Sequence, residues 1–525
     1  MTTPLNGPEL HLPHTAADLA DFAHDIRDFN VANVAHRVGV RAVLALERED
    51  PIPARIATEG GDVLGVLIRL FLLGCTISHD ELQTALPTSW HQAQDWGILT
   101  SGNEVRANID LRPTTIGADD AWLAADLGET ATEAVLPTDH VLGLGGASAT
   151  LVRMTVRSAV ERALDVGTGA GIQTLGLATH AETVVATDIS SRALQFAAFN
   201  MALNDAIAHA HGRESTVAQR VALERGSFFE PVQGTFDLIV SNPPFVVSPQ
   251  TTSMAQYTYR DGGYEGDGVV RYLVENIPTY LRPGGVGQIL ANWEIHDGQD
   301  WQERIESWVQ DLGVDAWVIM RERVDPAHYV HTWIRDGGLT PDRDRARYES
   351  TYREWLADFD ARGVSEVAFG YVILRKPPTE RDVWIRCEEI TGSLGEGLGE
   401  TISATLDMVE TLFHTTDDEL LTWRLVVGQD VTEERYHRPG QAHPTVILAR
   451  QGGGFGRVER LDTLSAAAVG ACDGQLDVGT ICQAVAQVLE LDVDEVTHEL
   501  LTTMRDLLVS GLVMPTRQER DTLNP

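Results

Sequence analysis

The sequence predicts an α/β fold built on a mostly parallel sheet. Three observations carry that expectation. Residues 160–376 alternate short apolar runs with helical stretches, the pattern of strands joined by crossover helices. The run Leu164-Asp-Val-Gly-Thr-Gly-Ala-Gly171 ends a strand on a glycine-rich turn that opens a helix. The following strand, Val184-Val-Ala-Thr-Asp188, closes on an acidic residue, about 20 residues beyond the turn.

The 525 residues are enough for about three domains. The expected division is 1–140, 141–380 and 381–525. In the first segment, Leu19, Phe22, Ala23 and Ile26 share one helical face. Further helices are expected near Val31–Val38, Arg41–Glu47 and Val63–Leu73. Ser78 and Glu81 have the spacing of a capping box ahead of a helix that Pro87 stops. Trp90–Trp96 reads as a helix. The runs Ile98–Thr100 and Val105–Ile109 flank Ser101-Gly-Asn-Glu as a hairpin. Together these elements predict a helical, winged-helix-like domain. Strands are expected at Arg162–Val166, Thr183–Asp188, Val221–Arg225, Phe236–Ser241, Gly285–Ala291, Ala316–Met320 and Ala368–Leu374, a Rossmann-like sheet of seven. An insert from Asp325 to Gly363 separates the last two. The third segment is expected to be α+β and again winged-helix-like, with helices at Val478–Leu489 and Asp494–Val509, the second capped by Asp494.

Composition narrows the function classes. There are 40 Lys+Arg against 77 Asp+Glu, a formal net charge of −37. The three segments 1–150, 151–390 and 391–525 carry roughly −13, −11 and −13, so the acidity is not a tail. Tight binding of bare nucleic acid draws on a basic surface and is disfavoured. Nearly all the cations are arginine, with Lys376 the only lysine. That bias fits a GC-rich genome or a salt-adapted surface better than a selected basic partner. Cys75, Cys387, Cys472 and Cys482 are scattered, without histidines at zinc-ligand spacing; no metal site and no disulfide scaffold is expected. Met1–Pro13 lacks the charged start and apolar run of a signal peptide. The run Val63–Leu73 contains Arg69 and is too short to span a bilayer. The protein is expected in the cytoplasm, with no membrane partner.

Four motifs carry chemistry. In the turn after Asp165, Gly167, Gly169 and Gly171 let the backbone approach a ligand without Cβ interference, and Thr168 and Ala170 lie between them. A dinucleotide site would need a third glycine where Ile172 stands. Asp165 can accept from an ammonium or hydroxyl. Asp188, followed by Ile189, suits hydrogen bonding to ribose hydroxyls. Ser227 and Phe228 follow another strand, the first offering a hydroxyl and the second a stacking face. Finally, Phe236-Asp-Leu-Ile-Val-Ser241 runs into Asn242-Pro243-Pro244-Phe245. The prolines remove N–H donors and leave carbonyls free to accept. Asn242 adds one carbonyl and two N–H groups, and Phe245 a planar face. Together they can hold a flat –NH2 group.

The Asp-x-Gly-x-Gly-x-Gly turn resembles the first motif of class I S-adenosylmethionine-dependent methyltransferases. The Asn-Pro-Pro-Phe motif resembles that of N-methyltransferases acting on planar nitrogens. In order and spacing the set is similar to the release-factor glutamine methyltransferase group, as are Arg260-Asp261-Gly262-Gly263-Tyr264-Glu265-Gly266-Asp267-Gly268 and Leu281-Arg-Pro-Gly-Gly285. Asp139–Ser148, ahead of the sheet, reads as a lid. The whole chain also resembles large actinobacterial-type multidomain relatives. The specific resemblance covers about 160–376. It implies S-adenosyl-L-methionine as cofactor, held by Asp165, Gly167, Thr168, Gly169, Ala170, Gly171, Asp188, Ile189, Ser227, Phe228 and Asn242. It implies catalysis by Asn242, Pro243, Pro244 and Phe245. Ser227 stands where the family often has Asp. The C-terminal segment and the insert bearing Tyr329, Trp333 and Arg335 are additional to the release-factor enzymes.

The expected function is therefore N-methylation, foremost of a protein glutamine amide on a translation-factor-like substrate. The alternatives are an exocyclic amine of an RNA or DNA base, and a non-catalytic binding protein on the same fold. Oligomeric state is left open. Gly452–Gly456 lacks the Lys-Ser/Thr of a phosphate loop.

Overall fold

In the computed structural model, the described residues are 9–48, 50–117, 119–128, 136–249, 260 and 262–519. Residues 1–8 and the motif residue Asp261 lie outside them. The chain forms two compact units. Unit 1 comprises residues 1–152, 158–312 and 323–376, and unit 2 comprises 153–157, 313–322 and 377–525. The expected boundary after residue 140 thus falls inside unit 1. Residues 153–157 and 313–322, expected with the central domain, belong to unit 2.

Unit 1 is centred on six strands: β1 (Val160–Val166), β2 (Ala181–Asp188), β3 (Val221–Arg225), β4 (Phe236–Ser241), β5 (Leu281–His296) and β6 (Val364–Arg375). Their order is β6-β5-β4-β1-β2-β3. All pairs are parallel except β5–β6. The expected strand around Ala316–Met320 is Asp315–Val324, which pairs in parallel with Ile385–Glu389 in unit 2. The unbroken buried runs Ala163-Leu164-Asp165-Val166 and Leu238-Ile239-Val240-Ser241 mark β1 and β4 as central strands. Buried on both faces, such strands read as continuous apolar runs. The chain order reverses between β1 and β4. A crevice opens beyond the carboxyl ends of strands at such a switch point, and ligands bind there.

The flanking helices include α1 (Gly146–Met154), α2 (Ile172–Leu177), α3 (Ser191–Ala210), α4 (Gly268–Tyr280), α5 (Pro326–Asp336) and α6 (Pro341–Arg362). The last two form the insert. They pack Tyr329, Trp355 and Phe359 into a core of their own with Val247 and Val367. The N-terminal segment contributes short helices, and the Ser78–Glu81 capping box forms as expected. Ile77–Ser78 pairs antiparallel with Glu104–Val105, and Leu99 bridges Ala107. Ile109–Ile116 and Asp119–Asp126 form a further hairpin. Val63–Leu73, expected as one helix, is an α-turn to Leu67 followed by a π-helical turn, Ile68–Leu72.

Unit 2 holds two three-stranded sheets and a helical core with Trp423, Leu425, Leu500 and Met504 buried. Its last long helix begins at Val493, and the cap is Asp492, whose carboxylate accepts from the Asp494 and Glu495 amides. The expected cap, Asp494, is already inside the helix. The glycine-rich loop 452–456 packs backbone to backbone. Gly395 N donates to Gly454 O at 2.8 Å, and a Cβ on Gly395 would lie 2.8 Å from Gly453 Cα. The glycines allow this close approach of two backbones. Among the described residues no His/Cys/Asp/Glu group could hold a metal ion. No described helix is long and apolar enough to cross a membrane.

Candidate active site

A cavity of about 470 Å³ lies in unit 1 at the switch point. Its floor is the turn after β1. Gly167 and Gly169 have φ of 78° and 54°, a region that side chains disfavour. No atom lies within 4 Å of where a Cβ would sit on either, so their backbone is open. Gly171 serves packing instead: at φ 89° a Cβ would come 2.9 Å from Met201 Cε and 3.3 Å from Ala197 Cα on α3. The turn is tied down from three sides. Asp188 Oδ2, at the end of β2, accepts from Gly169 N at 2.9 Å, and its Oδ1 accepts from Ser190 N at 2.8 Å. Asn200 Nδ2 donates to Ala170 O at 2.8 Å. Ser241 Oγ donates to Val166 O at 2.7 Å, clamping β4 to β1.

Asp165 does not line the cavity. It is fully buried beneath the turn, with Oδ2 accepting from Thr174 Oγ1 at 2.8 Å. Its Oδ1 has no hydrogen-bond partner among the described residues. Burial pushes the carboxyl up to about 6. Burial also raises the Asp188 carboxyl, opposed by the Ser190 and Gly169 amides. Asp165, expected to accept from a ligand ammonium or hydroxyl, thus stands beneath the turn and outside the cavity lining.

Phe228 lines the cavity while Phe229 is core, stacked on Tyr280 with centroids 4.6 Å apart. Phe228 has φ 48°, a strained conformation for a bulky residue and one that gathers at functional sites. Its carbonyl accepts from Thr187 Oγ1 at 3.0 Å. Ser227, Thr168, Ala170 and the exposed Ile189 complete this side.

Beyond β4, Asn242 Nδ2 donates to Ser148 Oγ of α1 at 3.0 Å. Ser148 is itself held, its carbonyl accepting from Gln173 Nε2 at 2.9 Å. Asn242 Oδ1 is left buried with no partner among the described residues. A second cavity of about 590 Å³ adjoins the first. Asn242, Ser148, His140, Leu142 and Gly143 line both. Pro244 faces the first, and Pro243 and Phe245 the second. Gly262 packs on Pro244, where a Cβ would come 3.1 Å from the Pro244 carbonyl.

A family model described as "Methyltransferase small domain" matches residues 143–306. A "Domain of unknown function (DUF7059)" matches 27–108. The ribosomal protein uL3 glutamine methyltransferase of Bradyrhizobium diazoefficiens is 36% identical over 138 residues, covering 24% of this chain and 40% of that protein. The ribosomal RNA small subunit methyltransferase C of Alcanivorax borkumensis is 31% identical over 134 residues, covering 26% and 33%. The match thus spans less than half the length of these two relatives. The release factor glutamine methyltransferase of Geobacter sulfurreducens is 30% identical over 224 residues, covering 38% of this chain and 74% of that enzyme.

The chain belongs to the class I S-adenosylmethionine-dependent methyltransferases.

Within that family it resembles the release factor glutamine methyltransferase group, and S-adenosylmethionine is the family's cofactor. The methyltransferase turn fits it chemically: two glycines with open backbone, an acceptor carboxylate at the end of β2, and a cavity wide enough for a nucleoside. Of the sequence-predicted residues, Gly167, Thr168, Gly169, Ala170, Asp188, Ile189, Ser227, Phe228, Asn242 and Pro244 meet at the first cavity, while Asp165 and Gly171 stand behind it. Sequence reasoning missed Gln173, Ser190 and Asn200. It read Asp139–Ser148 and Gly262–Gly263 as motifs without assigning them to the site. The segment ahead of the sheet lines the cavity: Asp126 Oδ2 accepts from Val141 N at 2.9 Å and from Arg192 Nε at 2.9 Å, pinning it there.

Proposed function

We propose that this methyltransferase transfers a methyl group to the side-chain amide nitrogen of a glutamine in a protein, and that it does so in the cytoplasm. One observation carries the reading. Asn242 is held by Ser148 through its N–H group, so that a buried carbonyl oxygen without a partner among the described residues stands between the two cavities. A buried acceptor left unsatisfied is unfavourable by about 1–3 kcal/mol. An incoming N–H satisfies it.

The mechanism follows from the side chains. Asn242 Oδ1 and the Pro243 carbonyl accept from the two N–H groups of the acceptor amide. The adjoining prolines offer no N–H to compete. Phe245 flanks the planar group. Amide nitrogen is a poor nucleophile, and these acceptors draw electron density toward it as the new bond forms. S-adenosylmethionine supplies a methyl group already activated on sulfonium, so the protein's main work is alignment. On this reading Gly167, Gly169, Asp188, Ile189, Ser227 and Phe228 hold the cofactor, with Asp188 on the ribose and Phe228 against the adenine. The names of the glutamine-modifying relatives support the acceptor class.

A second reading, transfer to the exocyclic amine of a nucleic-acid base, is supported by similarity to the ribosomal RNA enzyme. Tritiated-methyl transfer into a cell lysate, followed by separate protease and nuclease digestion, separates the two. Label released by protease is expected. Label lost to nuclease overturns the protein substrate. Absence of S-adenosylmethionine binding by isothermal titration sinks both.

A further inference from the structure

The second cavity is walled in part by residues outside the matched methyltransferase region. Arg55, Asp110 and Arg112 come from the N-terminal segment, and Trp333 and Asp336 from the insert helix α5. Trp333 lies edge-on to Phe245 of the Asn-Pro-Pro-Phe motif, with centroids 6.5 Å apart and rings at 76°. Its backbone is fixed, the carbonyl accepting from Arg260 Nη1 at 3.0 Å. Its indole Nε1–H is buried and has no partner among the described residues. Among the described residues, this wall therefore includes a buried donor without a partner on Trp333 and a buried acceptor without a partner on Asn242. Buried polar groups are nearly always satisfied, so this pair marks where a ligand supplies the complement.

The charges around them say what kind of ligand. Three arginines and three aspartates line the cavity. Asp110 is paired with Arg112, Nε to Oδ1 at 3.1 Å, and Asp126 with Arg192. With Asp126 paired to Arg192, three arginines face two aspartates, an excess of one cation where a phosphate-bearing ligand draws on several. An uncharged group presenting one carbonyl beside one N–H2 fits. A carboxylate lacks the donor that Asn242 needs, and an ammonium lacks the acceptor that Trp333 needs.

Resting on the glutamine-amide reading above, we propose that Trp333 is a specificity residue of the acceptor site. Its indole N–H donates to the carbonyl oxygen of a primary carboxamide, while Asn242 Oδ1 accepts from the same amide's N–H. Selection of carboxamide over carboxylate and amine is thus built partly by the insert, which lies beyond residues 143–306 matched by the methyltransferase family model.

The test uses full-length protein saturated with S-adenosylhomocysteine, probed by ligand-observed saturation-transfer NMR. The probes are Nα-acetyl-glutamine methylamide, its glutamate counterpart and adenosine. Wild type is expected to bind the glutamine probe and not the glutamate one. Trp333→Phe keeps an aromatic ring beside Phe245 and removes the donor together with one ring of the indole. It is expected to weaken the glutamine probe about 5- to 20-fold while S-adenosylhomocysteine affinity, read by titration, stays within twofold and shows the variant folded. Unchanged glutamine-probe binding in a Trp333→Phe variant that retains S-adenosylhomocysteine overturns the role of Trp333 alone. Wild type that holds S-adenosylhomocysteine but prefers adenosine at this site overturns the glutamine reading beneath it.

Discussion

Replacing Asp188 by asparagine tests the cofactor site through a single atom. Both carboxylate oxygens are engaged, Oδ2 by Gly169 N at 2.9 Å and Oδ1 by Ser190 N at 2.8 Å. Asparagine has one acceptor oxygen and an –NH2 group of the same shape. Whichever way it turns, the –NH2 faces a backbone N–H, and one of the two bonds is lost. Leaving that N–H unsatisfied costs about 1–3 kcal/mol. The ribose hydroxyls, which the proposed function assigns to the remaining lone pairs, lose a charged acceptor at the same time. Hydrogen bonds to charged groups contribute about 1.5–3 kcal/mol against about 0.5–1.5 for neutral ones. Taken together, cofactor affinity should fall by about 2–4 kcal/mol. At about 1.4 kcal/mol per tenfold, the Kd rises roughly 30- to 1,000-fold. Isothermal titration with S-adenosylmethionine and S-adenosylhomocysteine reads this directly, with circular dichroism confirming the fold. A folded Asp188→Asn protein that binds within threefold of wild type would refute both the loop-anchoring and the ribose roles.

The remaining predictions concern other parts of the machinery. Asn242→Ala should lower kcat about 100- to 1,000-fold, the scale seen when one preorganised hydrogen bond to the reacting group is removed; retained turnover with only a raised KM for the acceptor would dismiss the electronic role. Asp165, pushed up to about 6 from 3.8, holds a proton in the folded protein that the unfolded chain has released between those values. Its contribution is therefore full below about pH 3.8 and lost as pH rises through 6. Stability of the unliganded protein should fall across that window by on the order of 3 kcal/mol, and Asp165→Asn should flatten the slope in urea titrations at several pH values. Gly395→Ala forces a Cβ against Gly453 Cα, so unit 2 should lose about 1–3 kcal/mol, visible as a lower Tm; an unchanged Tm would mean that the loop yields.

Much of the site is legible in the chain because its geometry is local. The glycines at 167 and 169 are needed where the backbone takes positive φ, and the Asn-Pro-Pro-Phe run constrains itself through its prolines. Strand ends are equally local, so Asp188 and Phe228 fall where the alternation puts them. What a carboxylate does at a strand end is not local. Asp165 and Asp188 both sit at the ends of neighbouring strands, yet only Asp188 lines the cavity. The difference lies in Thr174 and in the burial around β1, which no spacing encodes.

The sequence by itself thus determined the fold class, the glycine turn, the Asn-Pro-Pro-Phe motif and the expected chemistry, because each depends on contacts within a few residues. Only the tertiary structure decided which of Asn242's atoms is free. That depends on Ser148, 94 residues away, and on Gln173 behind it. It also decided that the N-terminal segment and the insert meet at one wall beside Phe245. Such convergence is fixed by packing across the sheet, and pairwise contacts of that range leave no periodic trace in a single chain.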